Sequence, residues 1–153
     1  MEKTMAFFME KGRILAIDYG ERRVGLAITD PMQIIASGLT TLAVENDRHA
    51  ANQIVQIISK EDVTEIIIGL PIAPSGEATE KTRTVNQFIS ILKEKTALPI
   101  IPWEERFSTV SAQRLLIEAE EKKKRRTKEK IDTLAALVIL QHYLDYLRLN
   151  PKK

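Results

Sequence analysis

Three acidic positions stand where the chain could do chemistry. Asp18 ends the apolar run RILAID and is followed by Gly20 and the pair Arg22 and Arg23; Glu104 and Glu105 emerge where LPIIPWEE ends; Asp132 heads a stripe of Ala135, Ala136 and Ile139 at helical spacing. Each has an ordinary structural explanation. An aspartate before a glycine can bond its own backbone in a turn, and acids ahead of Ser108 or near the start of the last helix favour the positive end of a helix. Jointly they suit a catalytic role, because hydrolysing a phosphodiester with two hard divalent cations requires a few carboxylates converging where the ions lie about 4 Å apart. The chain has no cysteine and only two histidines, His49 and His142, far apart in sequence. Carboxylates are therefore left as the ligands for any metal. Only one of Glu104 and Glu105 can face a given side of a strand.

Other residue types fit a phosphate. Gly20 permits a tight turn and close approach of the backbone, and Arg22 and Arg23 offer planar donors, one of them expected to be an ordinary solvated loop residue. GLPIAPSGEATEKTR, from Gly69 through Gly76 to Arg83, reads as a loop opening a helix whose first N–H groups suit an anion. A plain surface loop would have the same composition, and the lysine-serine ending of a Walker loop is missing. KKKRRTKEK, Lys122 to Lys130 and including Lys123, Lys124, Arg125 and Arg126, has seven basic residues in nine. Such runs are usually solvated and extended by mutual repulsion; beside a carboxylate site this one would attract a polyanion and make binding salt-dependent.

The elements that must position these groups follow from periodicity. Residues 13–19, 23–30 and 33–42 read as a meander of strands, 47–59 as a helix, TEIIIGL as a buried strand, 77–95 as a second helix and LPIIPWE as a further strand. A third helix is expected from Ser108, with Ala112, Leu115, Leu116 and Ala119 as its stripe, and a last one over 130–147. The fold class is α/β, a mixed five-stranded sheet with an antiparallel three-strand meander plus parallel strands, flanked by helices. Ligands gather at the carboxyl ends of parallel strands, where Asp18, Gly69 and Glu105 are expected. The helix from Ser108 leads away from that edge by about 20 Å, and the basic run, able to span about 30 Å, brings Asp132 back. With 153 residues, 44% of them hydrophobic, the chain makes one domain. It has no apolar run of membrane-spanning length and no leader-like N-terminus, so a cytoplasmic protein with no membrane partner is expected. The net charge of +2 is too mild to diagnose a partner.

DYGERRVGLA at 18–27, GLP at 69–71, SGEATEKTRTVNQF at 75–88, EERFSTVSA at 104–112 and KEKIDTLAALVILQHYL at 128–144 together resemble the YqgF family of bacterial proteins. The resemblance covers about residues 13–147. It implies a ribonuclease H-like fold related to Holliday-junction resolvases, and nuclease activity maturing the 5′ end of precursor 16S ribosomal RNA. It further implies that Asp18, Glu105 and Asp132 form the acidic triad holding two Mg²⁺ or Mn²⁺ ions, with Arg23 and Arg106 near the phosphate. The family commonly reads aspartate, glutamate, arginine where this chain has Glu104, Glu105 and Arg106. The first dozen residues lie outside the pattern and read as a disordered extension, with Met5 or Met9 as alternative starts. The implied partners are nucleic acid, precursor ribosomal RNA ahead of branched DNA, and ribosomal particles. A resolvase would be expected to dimerise with paired sites; a non-catalytic nucleic-acid-binding module is the reading from another class. A kinase or ATPase of the actin and sugar-kinase type would need two such domains. An aromatic content of 5% shows no base-stacking cluster, and neither RNA over DNA nor an oligomeric state is marked by residue type.

Overall fold

A computed structural model of the chain describes residues 11–105 and 128–151, the side chains of 105 and 128–132 excepted. Its strands are β1 (Arg13–Asp18), β2 (Arg23–Thr29), β3 (Ala36–Ala43), β4 (Val63–Pro71) and β5 (Ile100–Glu105), and its helices α1 (Asp47–Lys60), α2 (Glu80–Lys95) and α3 (Lys128–Leu149). The sheet order is β3-β2-β1-β4-β5. β2 runs antiparallel to β1 and β3, while β4 runs parallel to β1 and β5. This is the expected mixed sheet.

The central strands read as continuous apolar runs because helices cover both sides of the sheet. On one side Leu15, Ile17, Leu26, Ile66 and Ile68 meet Ala51 and Ile54 of α1 and Val85, Phe88 and Leu92 of α2. On the other, Ile14, Ala16, Ala27 and Ile67 meet Ala136, Ile139, Leu140 and Tyr143 of α3. Small residues on the α3 side let that helix lie close. At Gly38 a Cβ would stand 2.5 Å from the Cγ2 of Thr133.

Several boundaries differ from those expected. β3 begins at Ala36, not 33, because the Asp30 carboxylate accepts the backbone N–H groups of Met32 (3.2 Å), Ile34 (2.7 Å) and Ile35 (2.7 Å) and folds 30–35 into a loop. α2 begins at Glu80, not near 77, because Thr79 caps it in a reciprocal capping box with Thr82. β4 continues two residues past Gly69 to Pro71, held by β5 pairing. The last helix starts two residues earlier and ends two later than its apolar stripe indicated. The helix expected from Ser108, Arg106, and the basic residues Lys123, Lys124, Arg125 and Arg126 lie outside the described residues. Among the described residues no helix is long and apolar enough to cross a membrane.

Candidate active site

Asp18 is the last residue of β1, 8% exposed, at the carboxyl edge of the sheet. Strand alternation places it in the series of Ile14 and Ala16, the side that α3 covers. Its neighbours decide what that position can do. Across β2 it pairs with Gly25. Toward β4, the register in which Ile17 faces Ile68 sets Gly69 beside it when continued by one residue. A carboxylate buried at a strand end is thus flanked on both adjoining strands by residues without side chains, and a glycine inside a strand often marks close approach by something else.

The same row continues outward. Gly25 pairs with Thr41 of β3, and the Thr41 hydroxyl lies 2.6 Å from that of Thr133 in α3. That bond ties the opening turns of α3 to the row of Asp18, and position 132 directly precedes it. In the other direction Gly69 pairs with Trp103, and Pro71 with Glu105. Ile101 and Trp103 pack on the α3 side whereas Ile100 packs on the α1 and α2 side. The two-residue period of β5 therefore assigns position 105 to the series on Asp18's side and position 104 to the other. Two strand spacings and a two-residue offset put the Cα atoms of Asp18 and Glu105 roughly 12 Å apart. The three expected acids thus stand on backbone positions sharing one face and one edge. Among the described residues no complete group of three metal-ligating side chains is present.

The two arginines part company. Arg22 is exposed, and its carbonyl accepts the N–H of Val44 at 2.9 Å. Arg23 opens β2, half-buried, in the alternation series of Gly25 and Ala27 on Asp18's side. Gly20 is required for the turn between β1 and β2: a Cβ there would lie 2.4 Å from the Arg23 carbonyl oxygen. Gly76 turns the 72–79 loop at φ 90°, its N–H bonded to the Ala73 carbonyl at 2.7 Å. Arg83 is exposed in the first turn of α2. Thr82, 2% exposed, donates its hydroxyl to the Pro71 carbonyl and so fastens α2 to the top of β4.

Residue types alone do not single out Thr41, Thr133, Gly25 or Thr82. Gly25 inside the apolar run RVGLAIT carries a signal, since a glycine within a strand marks close approach by something else. Tyr19 carries none. It points to the opposite side from Asp18, stacks on Phe88 at 4.8 Å and donates to Asp47 Oδ1 at 2.6 Å. Burial, reinforced by that bond and by the charges of Asp47 and Glu21, holds its hydroxyl well above the usual tyrosine range. A cleft of about 670 Å³ opens beside it, lined by Glu21, Glu45 and Asp47 against Arg48 alone. Its acidity disfavours a polyanion.

The model of the RuvX family, described as Holliday junction resolvase, matches residues 12–146. The chain belongs to the RuvX/YqgF family. Relatives named as pre-16S rRNA nucleases include those of Koribacter versatilis, 42% identical over 88% of this chain and 87% of the relative, and Thermoanaerobacter pseudethanolicus, 43% identical over 87% and 96%. Among solved structures the chain is similar to Thermus thermophilus RuvC in complex with a Holliday junction substrate, with a TM-score of 0.54 at 12% identity over 90% of this chain and 96% of that one. It is also similar to the fowlpox virus Holliday junction resolvase, with a TM-score of 0.52 at 13% identity over 88% and 99%. These likenesses identify the fold as ribonuclease H-like. The family match takes in all five strands and α3 as far as Tyr146, and it begins at Gly12, leaving residues 1–11 outside the family pattern.

Proposed function

We propose that this RuvX/YqgF member is a metal-dependent endonuclease that trims the 5′ end of precursor 16S ribosomal RNA. One observation carries the reading: a nearly buried carboxylate, Asp18, closes the first strand between two glycines, on the side of the sheet shared by the end of β5 and the start of α3. The donor set fits a hard cation. Asp18, Glu105 and Asp132 offer only carboxylate oxygens. The ligand assignment, two Mg²⁺ or Mn²⁺ ions on those three acids, is part of the proposal. Such ions, when bound, neutralise phosphate charge and make a water more acidic.

The protein's own residues supply the rest. Arg23, fixed at the start of β2, presents a fork of donors to a phosphate oxygen and orients the scissile bond over Asp18. Gly20 holds the turn that sets Arg23 at that height. Arg106, with Lys123, Lys124, Arg125 and Arg126, supplies positive charge that draws the polyanion in, so binding weakens with salt. Hydrolysis leaves a 5′-phosphate on one fragment and a 3′-hydroxyl on the other. The names of the relatives favour ribosomal RNA as substrate, and an enzyme acting on that RNA would work beside ribosomal particles.

The test is parallel cleavage of end-labelled precursor ribosomal RNA and of a four-way DNA junction, with Mg²⁺, Mn²⁺ or chelator, by the parent and by Asp18→Asn. The expected result is cation-dependent cutting of the RNA, abolished in the variant while its circular dichroism is unchanged. Symmetric cutting of the junction alone would make the protein a resolvase, and binding of both without cutting would make it a non-catalytic module. Equal cutting by Asp18→Asn would refute the site.

A further inference from the structure

An aromatic content of 5% announces no base-stacking cluster, yet the fold assembles one from residues far apart in sequence. Trp103 of β5, the one tryptophan of the chain, meets Tyr143 and Tyr146 of α3, each with ring centroids 5.3 Å away and with planes at 76° and 63°. The rings differ in how far they enter the core. Tyr143 is 3% exposed and donates its hydroxyl to Glu65 Oε1 at 3.0 Å, which anchors the group. Trp103 is half-buried, and Tyr146 is 47% exposed. The two tyrosines stand three residues apart on one helix, so they approach the indole from the same side. Neither lies flat on it, since such steep angles are edge-to-face contacts. β5 is the last strand in the sheet order, and no further strand adjoins Trp103 on its outer side among the described residues. The group is thus an aromatic ledge fixed from below and open to solvent. A preordered surface loses little freedom when a planar group settles on it.

The position of the ledge indicates which planar group. Trp103 pairs with Gly69 of β4, and Gly69 stands beside Asp18 when the register of β1 and β4 is continued by one residue. Trp103 packs on the α3 side of the sheet, the side of Asp18. Asp18, Gly69 and Trp103 therefore form one row, its ends roughly 10 Å apart at Cα, with a residue lacking a side chain between them. A strand whose phosphate is held at Asp18 brings a flanking base to this ledge. In a duplex that base is paired and stacked inside the helix; only an unpaired base can turn its face to a side chain.

We infer that Trp103 and Tyr146 stack an unpaired base of the substrate strand beside the scissile phosphate, so that the protein selects single-stranded segments. The inference rests on the nuclease reading above and adds a determinant that works through base faces, tolerant of sequence.

The lone tryptophan makes the contact directly readable. Asp18→Asn protein is titrated with a single-stranded oligoribonucleotide, with the same strand made abasic, and with the corresponding duplex, while indole emission and the anisotropy of the labelled nucleic acid are followed. Expected is saturable quenching of Trp103 by the unpaired strand, with little or none from the abasic strand or the duplex at equal occupancy. Trp103→Leu should weaken binding of the unpaired strand about ten-fold or more, and Tyr146→Ala, at an exposed position, should weaken it in the same sense. Trp103→Phe should retain most of the affinity, and binding of the abasic strand should be unaltered in all three, which a merely structural loss would not spare. Equal quenching by the abasic strand or by the duplex would overturn the inference. So would unchanged affinity of Trp103→Leu and Tyr146→Ala for the unpaired strand. Failure of the nuclease site shows separately, as equal cutting by Asp18→Asn in the cleavage assay.

Discussion

Replacing Gly38 with alanine separates two effects of opposite sign. An exposed or unobstructed glycine in a strand is weaker than alanine by about 0.5–1 kcal/mol, so without a neighbour the change would stabilise. Here the new methyl would lie 2.5 Å from Thr133 Cγ2. Thr133 cannot turn aside freely, because its hydroxyl is bonded to Thr41 at 2.6 Å. Either the bond is lost, at about 1 kcal/mol, or α3 lifts from the sheet, an overpacking cost of about 1–3 kcal/mol. A net loss near 1–2 kcal/mol is expected, which for a chain of this length lowers the melting midpoint by about 2–8 °C. The lift would also displace Asp132, the residue before Thr133 and a proposed metal ligand, and a shift near 1 Å in a catalytic group can cost about 100-fold in rate. Thr133→Ser removes the offending methyl and keeps the hydroxyl. It should restore both the midpoint and the cleavage rate of Gly38→Ala, with a favourable coupling of at least about 1 kcal/mol in the double-mutant cycle. A Gly38→Ala protein more stable than the parent, or one not rescued by Thr133→Ser, would refute the close approach as the reason for the glycine.

Three further outcomes can be checked. Gly20→Ala should lower cleavage far more than substrate binding, because a Cβ 2.4 Å from the Arg23 carbonyl can be relieved only by backbone movement of the turn; equal activity in a quantitative cleavage assay would contradict this. The Tyr19 hydroxyl, raised by burial and its bond to Asp47, contributes stability that is complete below its unfolded value of 10.0 and is lost as pH rises toward the folded value. Phenolate absorbance should therefore show Tyr19 ionising only as the protein unfolds, and Tyr19→Phe should reduce that late step by one tyrosine. Asp30, lowered in the fold, works in the reverse sense: its contribution is complete above its unfolded value of 3.8 and is lost as pH falls through the folded value. The stability gap between the parent and Asp30→Ala, followed by urea unfolding, should be widest above about pH 4 and close in stronger acid.

Much of this architecture was legible because its cause was local. The runs RILAID and EIIIGL are apolar without alternation, which is what a sheet covered on both sides demands. Boundaries failed where a side chain replaced backbone pairing: Asp30 captures the amides of residues that would otherwise extend β3, and Thr79 with Thr82 delays α2. The candidate acids could be found as strand-end and helix-start residues. What made Asp18 distinctive could not, since Gly25 and Gly69 become its neighbours only through two different strand pairings. The choice between Glu104 and Glu105 needed the partners of Ile100, Ile101 and Trp103, which depend on where α2 and α3 lie. Tyr19 and Asp47 meet across 28 residues, with nothing in either segment to announce it.

Among the described residues one side of the sheet is covered by α3, which is also the last described element in chain order. During synthesis, β1, β2, β4 and β5 can pair and receive α1 and α2 while Ile14, Ala16, Ala27 and Ile67 still face water. The element that buries them also carries the third acid. At about 5–20 residues per second the growing chain therefore spends several seconds with Asp18 in place and Asp132, the proposed third ligand, not yet made. A hydrolase proposed to act on ribosomal RNA is made by ribosomes, and this order of assembly would delay its competence until α3 has emerged.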